Sequence, residues 1–225
     1  AEYFRGGLGE ARAVMQRVQA EERIRDCEIG FRARNGRWVE TNAAASLLRD
    51  AQGTVIGTVG VAKDVTERKR EEEVLRKLSS AVESTADAVF VTDRDGVIEY
   101  ANPGFEELAG YAKGEAVGAT PGILKSGEHE PKFYQTLWRA LAAGEVVRRV
   151  FINKKKTGEL FYEEKTITPI REASGAITHF VSTGRDVTER RRAEERQAVQ
   201  FAVTRILAES ATFVEAAPRL LEAIG

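Results

Sequence analysis

The chain is 225 residues long, 42% hydrophobic and 31% charged, with a formal net charge of −1. That length holds one large domain or two small ones, and the composition is that of a soluble globular protein. A near-neutral balance offers no global field for nucleic acid or an anionic membrane, no apolar run is long enough to span a bilayer, and the first residues do not read as a signal peptide. The single cysteine, Cys27, excludes an internal disulfide and any cysteine-based metal cluster. The expectation is a cytoplasmic protein. Because Ala1 is not a start methionine and residues 220–225 stop inside a helical pattern, the chain is expected to be an excerpt from a longer one.

Residues 1–68 take their meaning from a repeat. Lys63-Asp64-Val65-Thr66-Glu67-Arg68 recurs as Arg185-Asp186-Val187-Thr188-Glu189-Arg190, an offset of 186 − 64 = 122. The offset holds upstream without a gap: Gly36 falls on Gly158, Arg49 on Arg171, Gly53 on Gly175 and Val59 on Val181. A period this long is too large for a solenoid and fits duplicated domains. The first copy lacks most of its front half, so 1–68 is read as the C-terminal part of a first domain. Residues 69–84 form a charge-rich linker helix, with Leu75, Leu78 and Val82 at heptad-like spacing.

The complete second domain spans 85–190. Val89–Thr92 and Val97–Tyr100 are strand patterns around Asp93-Arg94-Asp95-Gly96, a hairpin signal. Helical pieces follow at Pro103–Leu108 and Lys113–Val117, and Pro131 opens a longer helix to about Ala143, with Phe133, Leu137 and Leu141 on one face. Strands are expected at Val146–Asn153, Leu160–Ile170 and Ile177–Thr183, separated by Lys156-Thr157-Gly158 and Ala173-Ser174-Gly175 turns. The order β-β-α-α-α-β-β-β is α+β: a five-stranded antiparallel sheet with helices on one face, joined to its neighbours by linker helices. A second linker helix begins residues 191–225, where Val199, Ala202 and Ile206 repeat the heptad-like spacing.

The repeated Asp-Val-Thr-Glu-Arg motif reads as a helix start. Asp186 is expected to accept from the backbone N–H of Glu189 while Glu189 reaches back, a capping box, and Asp64 and Glu67 repeat it. The motif stands where the last strand becomes a linker helix, so strain in the sheet leaves the domain through Asp64, Thr66 and Glu67, or through Asp186, Thr188 and Glu189.

Asn102-Pro103 through Phe105, Gly110-Tyr111 and Asp186-Val187-Thr188-Glu189-Arg190 resemble the PAS family and its C-terminal PAC motif. The resemblance covers a whole domain over roughly 75–190 and a partial one over 1–68. The tail, 201–225, is similar to the opening helix of a GAF domain, with Val203, Ile206 and Leu207 on one face. The resemblance implies the sensory and relay region of a bacterial multi-domain signalling protein, a histidine kinase or a diguanylate cyclase, that dimerises through its linker helices. An interaction scaffold that binds nothing small is the alternative.

The resemblance also frames the pocket. Its expected lining is Phe90, Phe105, Ile123, Phe133, Phe151 and Ile167, with Trp138, Asn153, Glu164 and Ser182. Asn153-Lys154-Lys155-Lys156-Thr157-Gly158 is similar to the pattern of PAS domains that bind FAD or FMN, including LOV photosensors, where the matching Asn faces the flavin edge. An amide there offers donor and acceptor together. Three positions depart from those families. Pro121 lies where a photoactive cysteine would be, Gly184 where a LOV glutamine would be, and Val147 where the FAD sensor has a tryptophan. Haem needs an axial ligand, and the two histidines are His129, expected in an exposed loop, and His179 on a strand; neither clearly occupies the family's haem-ligand helix. A pocket with an unidentified small ligand, or plain core packing, completes the set of readings. No glycine-rich ATP motif or nucleophile signature is present, so no catalytic domain is expected in this chain.

Overall fold

The computed structural model describes residues 4–209 and 217–218, and the chain divides into two compact units, residues 1–80 and 81–225.

In the first unit, helix α1 (Gly7–Glu21) precedes strands β1 (Arg23–Arg32), β2 (Trp38–Arg49) and β3 (Val55–Asp64), and helix α2 (Thr66–Glu83) starts directly after β3. The strands form one antiparallel sheet in the order β1-β2-β3. Val18 of α1 packs on Ile24, Cys27, Ile29 and Ala43 of the sheet, and this is the unit's core. The β2–β3 turn closes because the Asp50 carboxylate accepts from the N–H groups of Gln52 and Thr54, while Gly53 takes a φ of 86°.

The second unit runs β4 (Ala88–Asp93), β5 (Ile98–Ala101), α3 (Pro103–Ala109), α4 (Lys113–Ala116), a 3₁₀ turn (Pro121–Leu124), α5 (Pro131–Ala142), β6 (Val147–Lys154), β7 (Leu160–Arg171), β8 (Ile177–Asp186) and α6 (Thr188–Glu209). Its antiparallel sheet has five strands, as expected from the sequence, in the order β5-β4-β8-β7-β6. The 3₁₀ turn is an addition. Strand β8 also runs past Thr183, because its ladder with β7 continues to the pair Glu163–Asp186. Two clusters fill the inner face: Phe90, Ile98, Phe105 and Leu124 beneath the short helices, and Leu137, Leu141, Phe151 and Phe180 beneath α5.

The repeat survives in three dimensions. Strands and helix begin at Trp38 and Leu160, Val55 and Ile177, Thr66 and Thr188, each pair separated by the same offset as the motif.

Asn102 ties the front of the second unit together. Its side-chain oxygen accepts from Val89 N (2.7 Å) and Phe105 N (2.9 Å), which caps α3. Its amide nitrogen donates to the carbonyls of Val82 and Asp87, both at 3.0 Å. The end of α2, the start of β4 and the start of α3 therefore meet on one fully buried amide. Gly104 makes this approach possible, since a Cβ there would lie 2.6 Å from the Asp87 carbonyl oxygen.

Candidate functional site

The sheet exit. The expected capping box does not form at either joint. Asp186 Oδ1 accepts from Thr188 N at 2.8 Å, and Asp64 Oδ1 from Thr66 N at 2.9 Å, each a tight Asx turn spanning two residues rather than three. Glu189 instead pairs with Arg192 at 3.3 Å, and Glu67 is exposed. The physical reason is the threonine. Its hydroxyl faces back onto the sheet, where Thr188 Oγ1 accepts from Tyr162 N and Thr66 Oγ1 from Glu40 N, both at 2.9 Å. The preceding valines complete the pattern: Val187 N donates to Tyr162 O at 2.9 Å and Val65 N to Glu40 O at 2.8 Å. The first turn of each helix thus continues the strand ladder, with the threonine hydroxyl replacing a backbone carbonyl. Val187 and Val65 are buried beneath it. The bonds from Thr66 hold the Asp64 carboxyl below its ordinary range, and Arg37 and Arg70 add to the effect.

The pocket. The inner face of the second sheet and α5 enclose a cavity of about 230 Å³. Of the expected lining, Phe90, Trp138, Phe151, Asn153, Ile167 and Ser182 border it. Phe105 does not: it sits in the neighbouring cluster against Phe90, ring centroids 5.6 Å apart, and Ile123 packs on that same cluster. Phe133 is drawn away by His129, whose ring stacks on it at 4.0 Å. His129 is accordingly not an exposed loop residue. It is half-buried, and its Nε2 accepts from Ile152 N at 2.8 Å. Burial pushes its pKa down, partly opposed by Glu128. His179 faces outward to Glu99 at 3.2 Å.

Glu164 points out of the sheet, exposed beside Arg190 at 3.7 Å. The buried carboxylate is its neighbour Glu163. One step along a strand reverses the face, so Phe161, Glu163, Lys165 and Ile167 share the inner side. Glu163 Oε2 accepts from Asn153 Nδ2 at 2.6 Å and pairs with Lys165 Nζ at 3.0 Å. Glu163 and Lys165 are 2% and 4% exposed. The Lys165 ammonium also lies over the rings of Phe90 (5.0 Å) and Phe151 (5.3 Å), which compensates part of its lost hydration. Gly184 makes room for the pair, because a Cβ there would fall 1.8 Å from Glu163 Oε1. Sequence reasoning missed Glu163, Lys165 and Tyr134. The first two were available from alternation: a lining Ile167 implies that 163 and 165, not 164, face the same way.

Two hydroxyls on the cavity wall, Ser182 Oγ and Tyr134 Oη, are buried without a hydrogen-bond partner. Among the described residues no cluster of His, Cys, Asp or Glu is arranged to hold a metal ion.

Comparison with known families addresses the same two regions. Family models described as PAS fold match residues 76–187 and 5–70. The chain belongs to the PAS family. Its PAS region is similar to the blue-light-activated histidine kinase of Brucella canis, 35% identical over 112 residues, which are 48% of this chain and 23% of that protein. It is also similar to the nitrogen fixation regulatory protein of Klebsiella oxytoca, 30% identical over 115 residues, 51% of this chain and 23% of that one. The human high affinity cAMP-specific and IBMX-insensitive 3',5'-cyclic phosphodiesterase 8A is 31% identical over 116 residues, 52% of this chain and 14% of its own length. The chain thus spans less than a quarter of the length of these curated relatives. Among solved structures, an RNA-binding light-oxygen-voltage receptor shares the fold with a TM-score of 0.51 at 16% identity, over 93% of this chain and 89% of that chain.

Proposed function

We propose that this chain is the sensory and relay region of a multi-domain signalling protein, with 1–68 the rear part of a first PAS domain, 69–84 a linker helix, 85–190 a complete PAS domain and 191–225 an outgoing linker helix followed by the start of a GAF-like domain. The output is a histidine kinase, the activity named for the 35% identical relative. One observation carries the relay: the latch and the buried charged pair beside the pocket begin at consecutive residues of β7. Tyr162 holds Thr188 at the exit, and Glu163 holds Asn153 and Lys165 within the domain. A ligand that moves the Glu163–Lys165 pair therefore acts next to the bond that seats α6. Domains of this kind bias a two-state element rather than catalyse.

In this reading the protein is cytoplasmic and homodimeric through its linker helices. Leu75 and Leu78 of α2 are 65% and 60% exposed on their heptad-like seam, an apolar stripe with the form of a helix-pairing face. Among the described residues no helix is long and apolar enough to cross a membrane. Val203, Ile206 and Leu207, which carry the GAF reading of 201–225, lie within α6, and most of that stretch after residue 209 lies outside the described residues. A flavin is the second reading of the pocket, favoured by Asn153 on its wall and by the blue-light-activated relative. Bands near roughly 370 and 450 nm in the purified protein decide it, because a bound flavin supplies its own chromophore.

The relay is tested in the full-length parent protein by autophosphorylation with labelled ATP. Asp186→Ala and Thr188→Val are expected to change the stimulated rate while the domain stays folded by circular dichroism. Wild-type output from both variants overturns the relay, and absence of any phosphohistidine overturns the kinase assignment.

A further inference from the structure

The cavity in the second domain has a polar inventory that specifies a ligand class. Its walls are mostly apolar, from Leu137, Leu141, Ile167 and Phe180 among others. Three of its polar groups, Lys165, Ser182 and Tyr134, are donors with spare capacity. Lys165 has three N–H bonds and commits one to Glu163. Ser182, 1% exposed, has an unpartnered hydroxyl on β8, directly across the ladder from Ile167 and Phe90. Tyr134 contributes a second unpartnered hydroxyl from α5.

The carboxylate of Glu163 is already committed. Asn153 Nδ2 and Lys165 Nζ both engage the same oxygen of Glu163, and the other oxygen packs against Gly184. Glu163 does not border the cavity, whereas Lys165 does. Lys165 therefore joins the cavity wall to the buried Glu163. A second cation, Lys125, also lines the space, its ammonium 4.5 Å from the centre of the Tyr134 ring, against a single lining carboxylate, Asp95. A buried hydroxyl without a partner is unfavourable, and an oxygen acceptor placed among these donors relieves it.

We propose that this pocket binds a small aromatic carboxylate: the carboxylate accepts from Lys165, Ser182 and Tyr134, and the ring lies among Phe90, Phe151 and Phe180. The proposal rests on the reading of the second domain as the sensor and names its ligand class. A cation would meet two lysines, and a neutral hydrocarbon would leave both hydroxyls unsatisfied. The carboxylate alone forms charge-assisted bonds with the ammonium.

The test is titration calorimetry of the whole 225-residue chain with three probes of one shape: 2-naphthoate, 2-naphthylmethanol and 2-naphthylmethylamine. The naphthoate is expected to bind about 10-fold or more tightly than the alcohol, the value of one good charge-assisted bond, with the amine weakest. Lys165→Met is expected to abolish the preference for the carboxylate. Because that change strands Glu163, the double variant Lys165→Met/Glu163→Gln, which removes both charges, is measured beside it, with circular dichroism to confirm the fold. Ser182→Ala is expected to weaken naphthoate severalfold and leave the alcohol's rank below it unchanged. Equal or tighter binding of the amine, unchanged naphthoate affinity in the double variant, or no binding of any probe overturns the proposal. The phosphorylation assay of Asp186→Ala and Thr188→Val uses none of these probes, so a wrong ligand class and a wrong relay are told apart.

Discussion

Replacing Thr188 by valine separates the observed latch from a capping box. The substitution keeps side-chain volume and removes one oxygen. Thr188 is 6% exposed, and its hydroxyl accepts from Tyr162 N at 2.9 Å. Valine leaves that N–H facing methyl groups without an acceptor, a desolvation cost of about 1–3 kcal/mol. A domain of this size shifts its Tm by about 4–8 °C per kcal/mol, so a loss near the middle of that range lowers the second domain's midpoint by roughly 10 °C. Glu189→Ala is the contrast. Its carboxylate makes one exposed contact with Arg192, and exposed pairs of this type contribute about 0.5 kcal/mol or less. Thermal melts followed by circular dichroism, with amide exchange read at Tyr162, measure both. Thr188→Val should destabilise clearly more than Glu189→Ala and should deprotect the Tyr162 amide. If Glu189→Ala costs as much as Thr188→Val, or the Tyr162 amide stays protected in the valine variant, the latch reasoning fails.

Asn102→Ala strands the Val89 N–H and the Val82 and Asp87 carbonyls, and is expected to cost roughly 3 kcal/mol or more by urea denaturation. Gly184→Ala is expected to destabilise by over about 1 kcal/mol in the wild type and markedly less in a Glu163→Ala background, a coupling that a double-mutant cycle reads directly. His129, held below its ordinary 6.5, resists protonation in the folded state. The unfolded chain takes the proton first, so the stability from this group is present above pH 6.5 and is lost as pH falls through it. His129→Gln should flatten that slope in urea melts between about pH 7 and 5. Asp87, whose carboxyl is held low by Arg185, adds a separate loss at more acidic pH, beginning below its ordinary 3.8.

The fold was legible because each element carries its own signal. Asp93 shows how. Its carboxylate accepts from Asp95 N and Val97 N and closes the turn that Asp-Gly announced. The pocket was less legible, since aromatic residues state that they are buried but not against what. Phe105 and Phe90 belong to one cluster, yet only Phe90 reaches the cavity. Family patterning favoured Glu164, and simple alternation from Ile167 would have chosen Glu163. The helix start was misread for a related reason. Asp and Glu three apart is a local pattern, and the bond that won joins Thr188 to a residue 26 positions earlier.

That long-range bond explains why one motif serves both copies. A capping box would satisfy the helix from within its own first turn and leave its direction to the loop. The threonine latch satisfies the helix and the sheet together, so the first turn of the helix is tied to the strand beside the one it leaves. In the second domain the same two strands also carry the charged pair and part of the cavity wall: Ser182 on β8 and Lys165 on β7 border the cavity, and Gly184 and Glu163 pack beside them. Glu163 fills the space that a Cβ at Gly184 would take, so the charged pair packs directly on the β8 backbone. In the first copy the counterparts of Glu163 and Lys165 are Thr41 and Ala43, by the same offset. Thr41 satisfies itself on the Ile29 carbonyl at 2.8 Å, and Ala43 packs in the core. The latch is common to both copies and the buried charged pair belongs to the second alone, so the seating of the helix is shared between the copies while the Glu163–Lys165 pair distinguishes the second.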